Sequence, residues 1–393
     1  MWHFLRSGDR PRRRGAAAIF AMVMMVVLIG FAALTVDVGV LYNTRADLQN
    51  AADAAALAGA AAYATSAMVQ VRLDKDVSTN LQTVLARAAS QAKLAASKNG
   101  SFAGGGIAIE PEDFGTGWID VTSATSPLNT NPLPKDYNAV QVVVRRSKDS
   151  RNGPVRFFFA PIFGKHVTSV SASAVAVYDD HFSAYDVAIP GSAPLWPFTI
   201  HEDEYDKWLA GSTDSFGYDP AADQVSNGSD DAVEVRLYPD KLAPGNYGLL
   251  NIGTPNQSTT ALAGQITDGV SADDVEIEAG TSELTFYDEN GDPLGYNVSG
   301  NPGLKSSLES DIKARVGDIV AYFVHDNVTN SGSNVTYHIT GIRFARVMYV
   351  LLQGTSPKRG LWMQPVSYNG PGVITIAGAP SSDGNAGHIS LVR

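Results

Sequence analysis

His201-Glu202-Asp203-Glu204 sets an imidazole beside three carboxylates, the side chains that hold a divalent metal. Consecutive residues rarely converge on one ion, and the H-E-x-x-H spacing that aligns two imidazoles on a helix face is absent, so the run reads as the acidic start of a solvated helix. Asp288, Asn290 and Asp292 occupy the first three ligand positions of a calcium loop. Pro293 stands where that loop needs glycine and Ser299 where it needs a bidentate glutamate, which leaves a hairpin turn. His325 and Asp326, with His338 in a following strand, have the residue types of an acid–base pair. Neighbours on a strand point to opposite faces, however, and no serine in a nucleophile-elbow context accompanies them. Gly104-Gly105-Gly106 lacks the lysine and following helix of a phosphate loop and reads as a turn. Trp196, Trp208 and Trp362 are assigned to core packing. No catalytic residue, cofactor site or metal site is therefore assigned.

The carboxylate with the most telling position is Asp37, which directly follows the uncharged run Ala16 to Val36. At about 1.5 Å per residue that 21-residue run spans the roughly 30 Å hydrocarbon core of a bilayer. Arg6, Arg10, Arg12, Arg13 and Arg14 precede it, so the positive-inside rule puts the N-terminus in the cytoplasm and everything after Asp37 outside. The competing reading is a cleaved signal peptide with a small-residue site near Phe31-Ala32-Ala33; the run is longer than the usual h-region of about 7–15 residues, which favours retention. Asp37 itself has two readings: a topological marker solvated at the interface, or a carboxylate paired with a buried partner.

Beyond Tyr42 the chain continues without proline and with nine alanines among residues 51–62, so the helix is expected to run on from the span. Leu41, Leu48, Ala52, Ala55 and Gly59 fall on one stripe at helical spacing, flanked by polar residues that include Asn50 and Asp53. Small residues there allow close approach of another helix, either within the same chain or in a filament or partner.

These residues resemble a known family. Arg13-Arg14-Gly15, the apolar span, Val36-Asp37-Val38-Gly39 with Leu41-Tyr42, and Leu48-Gln49-Asn50-Ala51-Ala52-Asp53-Ala54-Ala55-Ala56-Leu57-Ala58 are similar to the N-terminal segment of the Flp (Tad) pilus-assembly proteins of the TadE/TadG-like class. Asn138-Ala139-Val140, Phe157-Phe158-Phe159-Ala160, Ile162-Phe163-Gly164 and Ala172 to Val177 look like the region that follows the anchor in TadG-related proteins. The resemblance implies a bacterial envelope protein, and makes Gly15, Asp37, Gly39, Leu41, Leu48, Asn50, Ala52, Asp53, Ala55 and Gly59 the expected anchor and packing face. Prepilin-like members carry a glutamate at the fifth position after their cleavage glycine, where this chain has Phe20. The D-x-S-x-S loop of a von Willebrand A domain does not occur, so that domain is not expected.

Past the anchor, Leu81, Val84, Leu85, Ala88, Ala92 and Ala95 mark an amphipathic helix over 79–97. Ala139 to Arg145, Val155 to Phe159 and Thr168 to Tyr178 read as strands, the last alternating small apolar with serine. A boundary is expected about 180–200, where Pro190, Pro194 and Pro197 cluster. Further on come an alternating strand at Val233, Val235 and Leu237, a hairpin about Asn290-Gly291 joining 284–287 to 294–296, and a short helix through Leu304, Leu308 and Ile312. Asp318 to His325, Val335 to Ile342 and Arg343 to Leu352 give three more strands. The expected fold is α+β: a basic segment 1–15, a transmembrane helix 16–37, an Ala-rich periplasmic helix 38–66, a first α+β region 67–180 and a β-rich, mostly antiparallel domain 181–393, arranged as a sandwich or open barrel.

A net charge of −11 opposes non-specific nucleic-acid binding, and the absence of cysteine removes disulfides, thiolate metal sites and a cysteine nucleophile. With 44% hydrophobic and 18% charged residues, the chain has a folding composition. The functional expectation is a non-enzymatic, single-pass inner-membrane component of a Flp-type pilus or secretion apparatus, with its C-terminal region periplasmic or extracellular. Its expected partners are the membrane, other assembly or envelope proteins and further copies of itself, with no nucleic acid and no small-molecule substrate. The alternative is an envelope-anchored module that binds a polymer or adhesive ligand; an envelope hydrolase ranks last.

Overall fold

The computed structural model describes residues 14–100, 105–123, 126–211, 214–239, 245–330 and 332–392. Arg6, Arg10, Arg12, Arg13 and Gly104 lie outside those residues. The first element, α1 (Arg14–Ala60), is one unbroken helix of 47 residues, about 70 Å long at 1.5 Å per residue. Without proline to remove a donor, nothing interrupts it until a short 3-10 turn at Ala61–Tyr63. Its two halves meet different surroundings. From Ile19 to Val36 the large apolar side chains are exposed, whereas from Asp37 onward one face is covered by the rest of the chain.

That cover is built by α2 (Ser66–Arg72), α3 (Val77–Lys98), β1 (Phe114–Gly117), β2 (Ala139–Arg146), the small hairpin β3 (Val155–Arg156) and β4 (Val167–Thr168), and β5 (Val170–Asp179). The antiparallel pair β2–β5 runs in register from Ala139↔Val177 to Arg146↔Val170. Ala172, Ala174 and Ala176 of β5 and Val140, Val142 and Val144 of β2 join the buried alanines of α1 and Val84, Ala88, Ala92 and Ala96 of α3 in one core. Small side chains on every layer let helices and sheet approach closely. At Gly59 a β-carbon would come 2.9 Å from Cγ1 of Val140 and 3.4 Å from the carbonyl oxygen of Ala88, so helix, helix and strand meet there without room for a side chain.

The remainder is β6 (Phe182–Asp186), β7 (Leu195–His201), α4 (Glu202–Gly211), β8 (Phe216–Asp219), β9 (Gln224–Asn227), β10 (Val235–Tyr238), α5 (Thr259–Asp268), α6 (Ala272–Ala279), β11 (Glu283–Thr285), β12 (Tyr296–Ser299), α7 (Glu309–Lys313), β13 (Ile319–Thr329), β14 (Thr336–Leu351), β15 (Gly360–Pro365), β16 (Val373–Thr375) and β17 (His388–Val392). Its main sheet has the order β10-β15-β14-β13-β7, with β12 also on β14. Only the β13–β7 pair within it is parallel. Val320, Tyr322 and Val324 of β13 enter one core and Ala321 and Phe323 the other, which explains the continuous apolar run. A sheet of β11-β6-β16 lies beside it.

Three expectations are corrected. Val335 to Ile342 and Arg343 to Leu352 form the single strand β14, because Gly341 continues the ladder opposite Val324 while the register shifts on either side of His325 are taken up by one extra residue on each strand, Thr340 of β14 and Asp326 of β13. The strand expected over Val155 to Phe159 ends at Arg156: Phe157 N–H still donates across the hairpin to the His166 carbonyl at 3.1 Å, but the donors from Phe158 to Ala160 turn to another partner. The Asn290-Gly291 turn forms, with the Leu294 amide donating to Phe286 at 2.7 Å, but its flanks diverge: β11 pairs with β6 and β12 with β14. One further feature had no sequence signal. β17 leaves the C-terminal part and pairs with β5, completing the order β1-β2-β5-β17.

Gly59→Val should destabilise the chain by about 1–3 kcal/mol through overpacking, as read by chemical denaturation in detergent. Val140→Ala should recover part of that loss when combined with it. Strict additivity of the two changes would show that the contact does not govern the helix position.

Candidate functional site

The sheath around α1 begins at Asp37. Its carboxylate is 4% exposed and accepts three consecutive backbone amides from a loop more than a hundred residues away. Oδ1 receives Phe158 N–H at 2.7 Å, Oδ2 receives Ala160 N–H at 2.7 Å, and Phe159 N–H lies between them at 3.3 and 3.2 Å. These amides open the 3-10 turn Ala160–Phe163, in which Pro161 has no N–H to contribute. An acceptor with negative charge at the start of such a turn satisfies donors that the turn itself leaves unpaired. The turn closes on Gly164, whose φ of 78° is the left-handed conformation that glycine tolerates. Asp37 thereby fastens the tip of the β3–β4 hairpin to α1 at the first residue beyond the apolar run.

Apart from Gly15, the other residues of the expected packing face divide into three groups. Leu48, Ala52 and Ala55 are fully buried, and Gly59 sits in the close contact with Val140. This stripe is filled by the chain's own α3 and sheet. Gly39 and Leu41 are half-buried, and Leu41 lines a groove with Val38, Tyr42, Arg45 and Thr168 to Ser171. Asn50 is exposed, while Asp53 accepts from Nε2 of Gln49 at 2.8 Å and that amide also reaches the Ser173 carbonyl at 3.1 Å. Gly15 lies in the first turn of α1. Sequence reasoning noted both Asp37 and the Phe157–Phe163 segment but did not join them; the pairing of a lone acid with a run of peptide donors leaves no periodic trace.

The Tad family model, described as Flp pilus-assembly TadE/G-like, matches residues 15–62. The chain carries a TadE/G-like N-terminal segment. That segment coincides with α1 and the turn after it, and so holds both the apolar run and the buried stripe. No curated protein and no solved structure matches the chain.

Outside the TadE/G-like segment, the polar residues singled out from sequence have structural partners. His201, the last residue of β7, accepts the Asp203 N–H on Nδ1 at 3.1 Å just before α4, and its Nε2 donates to the Asp326 carbonyl at 2.9 Å. His325 points inward, bonded to Thr199 Oγ1 at 2.8 Å, and burial pushes its pKa down to about 3. Asp326 points outward and pairs with His338 at 2.7 Å on the surface. Asp288 accepts the Asn290 and Asp292 amides at 2.9 Å each and so caps the turn. Trp196 is fully buried, while Trp208 and Trp362 meet edge to face at 5.4 Å.

A cluster of metal-ligand type that the sequence reading did not single out is Asp179-Asp180-His181, beside a cleft between the two parts of the chain. Asp179 Oδ1 holds His181 Nδ1 at 2.7 Å, and Asp180 Oδ2 takes Arg72 at 2.5 Å, Ser381 Oγ at 2.7 Å and the Gly384 amide at 3.2 Å. The bonds to Asp180 tie α2 to the C-terminal loop.

Glu234 has no exposed surface, and burial raises its pKa to about 7 although the Ser215 and Phe216 amides donate to it. Between its unfolded value and about 7 the folded chain binds the extra proton, so this group's contribution to stability falls as pH rises through that window. Glu234→Gln should therefore lose less stability than the parent between about pH 5 and pH 8. Equal losses in urea titrations at both pH values would contradict the assignment.

Proposed function

We propose that the chain is a non-enzymatic, single-pass membrane component of a Flp-type pilus or secretion apparatus. Residues 16–36 cross the inner membrane with the N-terminus in the cytoplasm, and the rest stands outside, where it contacts other assembly proteins. The observation that carries this reading is the change of surroundings along α1. Within one unbroken helix, a stretch of exposed apolar side chains long enough to cross a bilayer gives way at Asp37 to a stretch sheathed by its own domain, and the TadE/G-like match spans both. Such a helix has no hinge, so the position of the domain is fixed relative to the bilayer. Most of the polar side chains singled out above are engaged in bonds within the fold, among them His201, Asp288, Asp326 and His338, which favours assembly through contacts over turnover.

Replacing residues 16–36 by a cleavable export signal should deliver a folded, soluble domain to the envelope and abolish piliation. Normal piliation by cells producing only that soluble form would refute the anchored role.

A further inference from the structure

The tip of the β3–β4 hairpin has the opposite pattern to a soluble loop. Phe158, Ile162 and Phe163 are 67%, 79% and 83% exposed, and Phe159 is 40% exposed. Large apolar side chains gathered on one protruding turn mark a surface that contacts something. The structure also fixes where that turn stands. Its amides at 158, 159 and 160 are held by Asp37, the residue that follows the apolar run of α1, so the turn projects beside the helix at the level where the apolar run ends.

Charge around the turn is equally out of keeping with the rest of the chain. The net charge is −11, yet no aspartate or glutamate occurs from Ser150 to Tyr178. Arg156, Lys165 and His166, at the two feet of the turn, are exposed. An apolar tip with cations at its base matches the layered chemistry of a bilayer surface, with acyl chains below and anionic headgroups above.

We propose that Phe158, Phe159, Ile162 and Phe163 insert into the outer leaflet of the membrane that α1 crosses, with Arg156 and Lys165 at its anionic headgroups. This inference rests on the proposed function, because it takes residues 16–36 as spanning the bilayer. The chain then has two lipid contacts, the helix and the turn. Asp37 is the rigid link that sets the angle between them, and together they prevent the domain from rotating or tilting about a single helix. Asp37 has a positioning role here, since it touches no lipid and acts through the backbone of the turn.

Because the chain has no cysteine, single cysteines report without background. The full chain is reconstituted into vesicles of phosphatidylethanolamine and phosphatidylglycerol, carrying an environment-sensitive fluorophore at Phe163→Cys, at Val27→Cys in the span, or at Ser229→Cys on an exposed distant loop. Lipids bearing quenchers at shallow or deep acyl positions then read depth. Position 163 is expected to emit blue-shifted light and to be quenched best by the shallow probe, position 27 by the deep probe, and position 229 by neither. Adding Asp37→Ala should reduce quenching at 163 while leaving position 27 unchanged.

Quenching at 27 without quenching at 163 would overturn the insertion of the turn and leave the anchor intact. A blue shift at 163 with no quenching by either lipid would also overturn it, assigning the turn to a protein partner or a second copy. Absence of quenching at 27 would instead overturn the anchor reading on which the inference rests. Unchanged quenching at 163 in the Asp37→Ala chain would remove Asp37 from the account.

Discussion

The constraint on which the rest of the structure depends is that one helix must satisfy two environments without breaking. A backbone that leaves an apolar medium for water can fray, because its terminal carbonyls and amides find other partners there. In α1 the hydrogen-bond ladder continues straight through, and only the side chains change, from large and apolar to small. Asp37 stands at that change. Its carboxylate recruits three peptide donors from the hairpin tip, and from there the sheet follows the helix for the rest of its length.

The small side chains answer a packing problem. A helix that protrudes from its domain gains no support along its exposed half, so the sheathed half must be held firmly enough to carry it. Alanine facing alanine, with Gly59 against Val140, brings backbone close to backbone and gains dispersion contacts over a long seam. The seam is closed at its far edge by β17, which ties the last residues of the chain to β5, and at the junction by Asp180 with Arg72, Ser381 and Gly384. The C-terminal part is thus fastened to the sheath at two places rather than hung from a linker.

Much of this arrangement was legible in the sequence where a period carried it. The apolar run, the alanine stripe, the α3 helix and the alternating β5 strand each follow from spacing alone, and so does the α+β class with mainly antiparallel sheet. What was illegible depends on contacts between distant residues. The meeting of Asp37 with Phe158 to Ala160, the return of β17, and the fusion of two expected strands into β14 through Gly341 are choices of partner, and partner choice has no local signature. The site residues divided the same way: Leu48, Ala52 and Ala55 were marked by their stripe, whereas the exposure of Asn50 follows from which flank of α1 the sheet covers. Of the polar residues that suggested chemistry, His201 and Asp288 accept nearby peptide donors, because short polar side chains next to such donors satisfy local backbone first, whereas His325 turns inward to Thr199 and His338 pairs with Asp326.

The central claim is that the domain stands outside the cytoplasm on a retained helix, and its most direct test is protease accessibility of a C-terminal tag. The tag would be followed in intact cells, in cells with the outer barrier opened, and in membranes washed with carbonate. The account predicts a tag that stays with the washed membranes and is cut only once the outer barrier is opened. A tag released in soluble form, or one reached only after the inner membrane is broken, would contradict it.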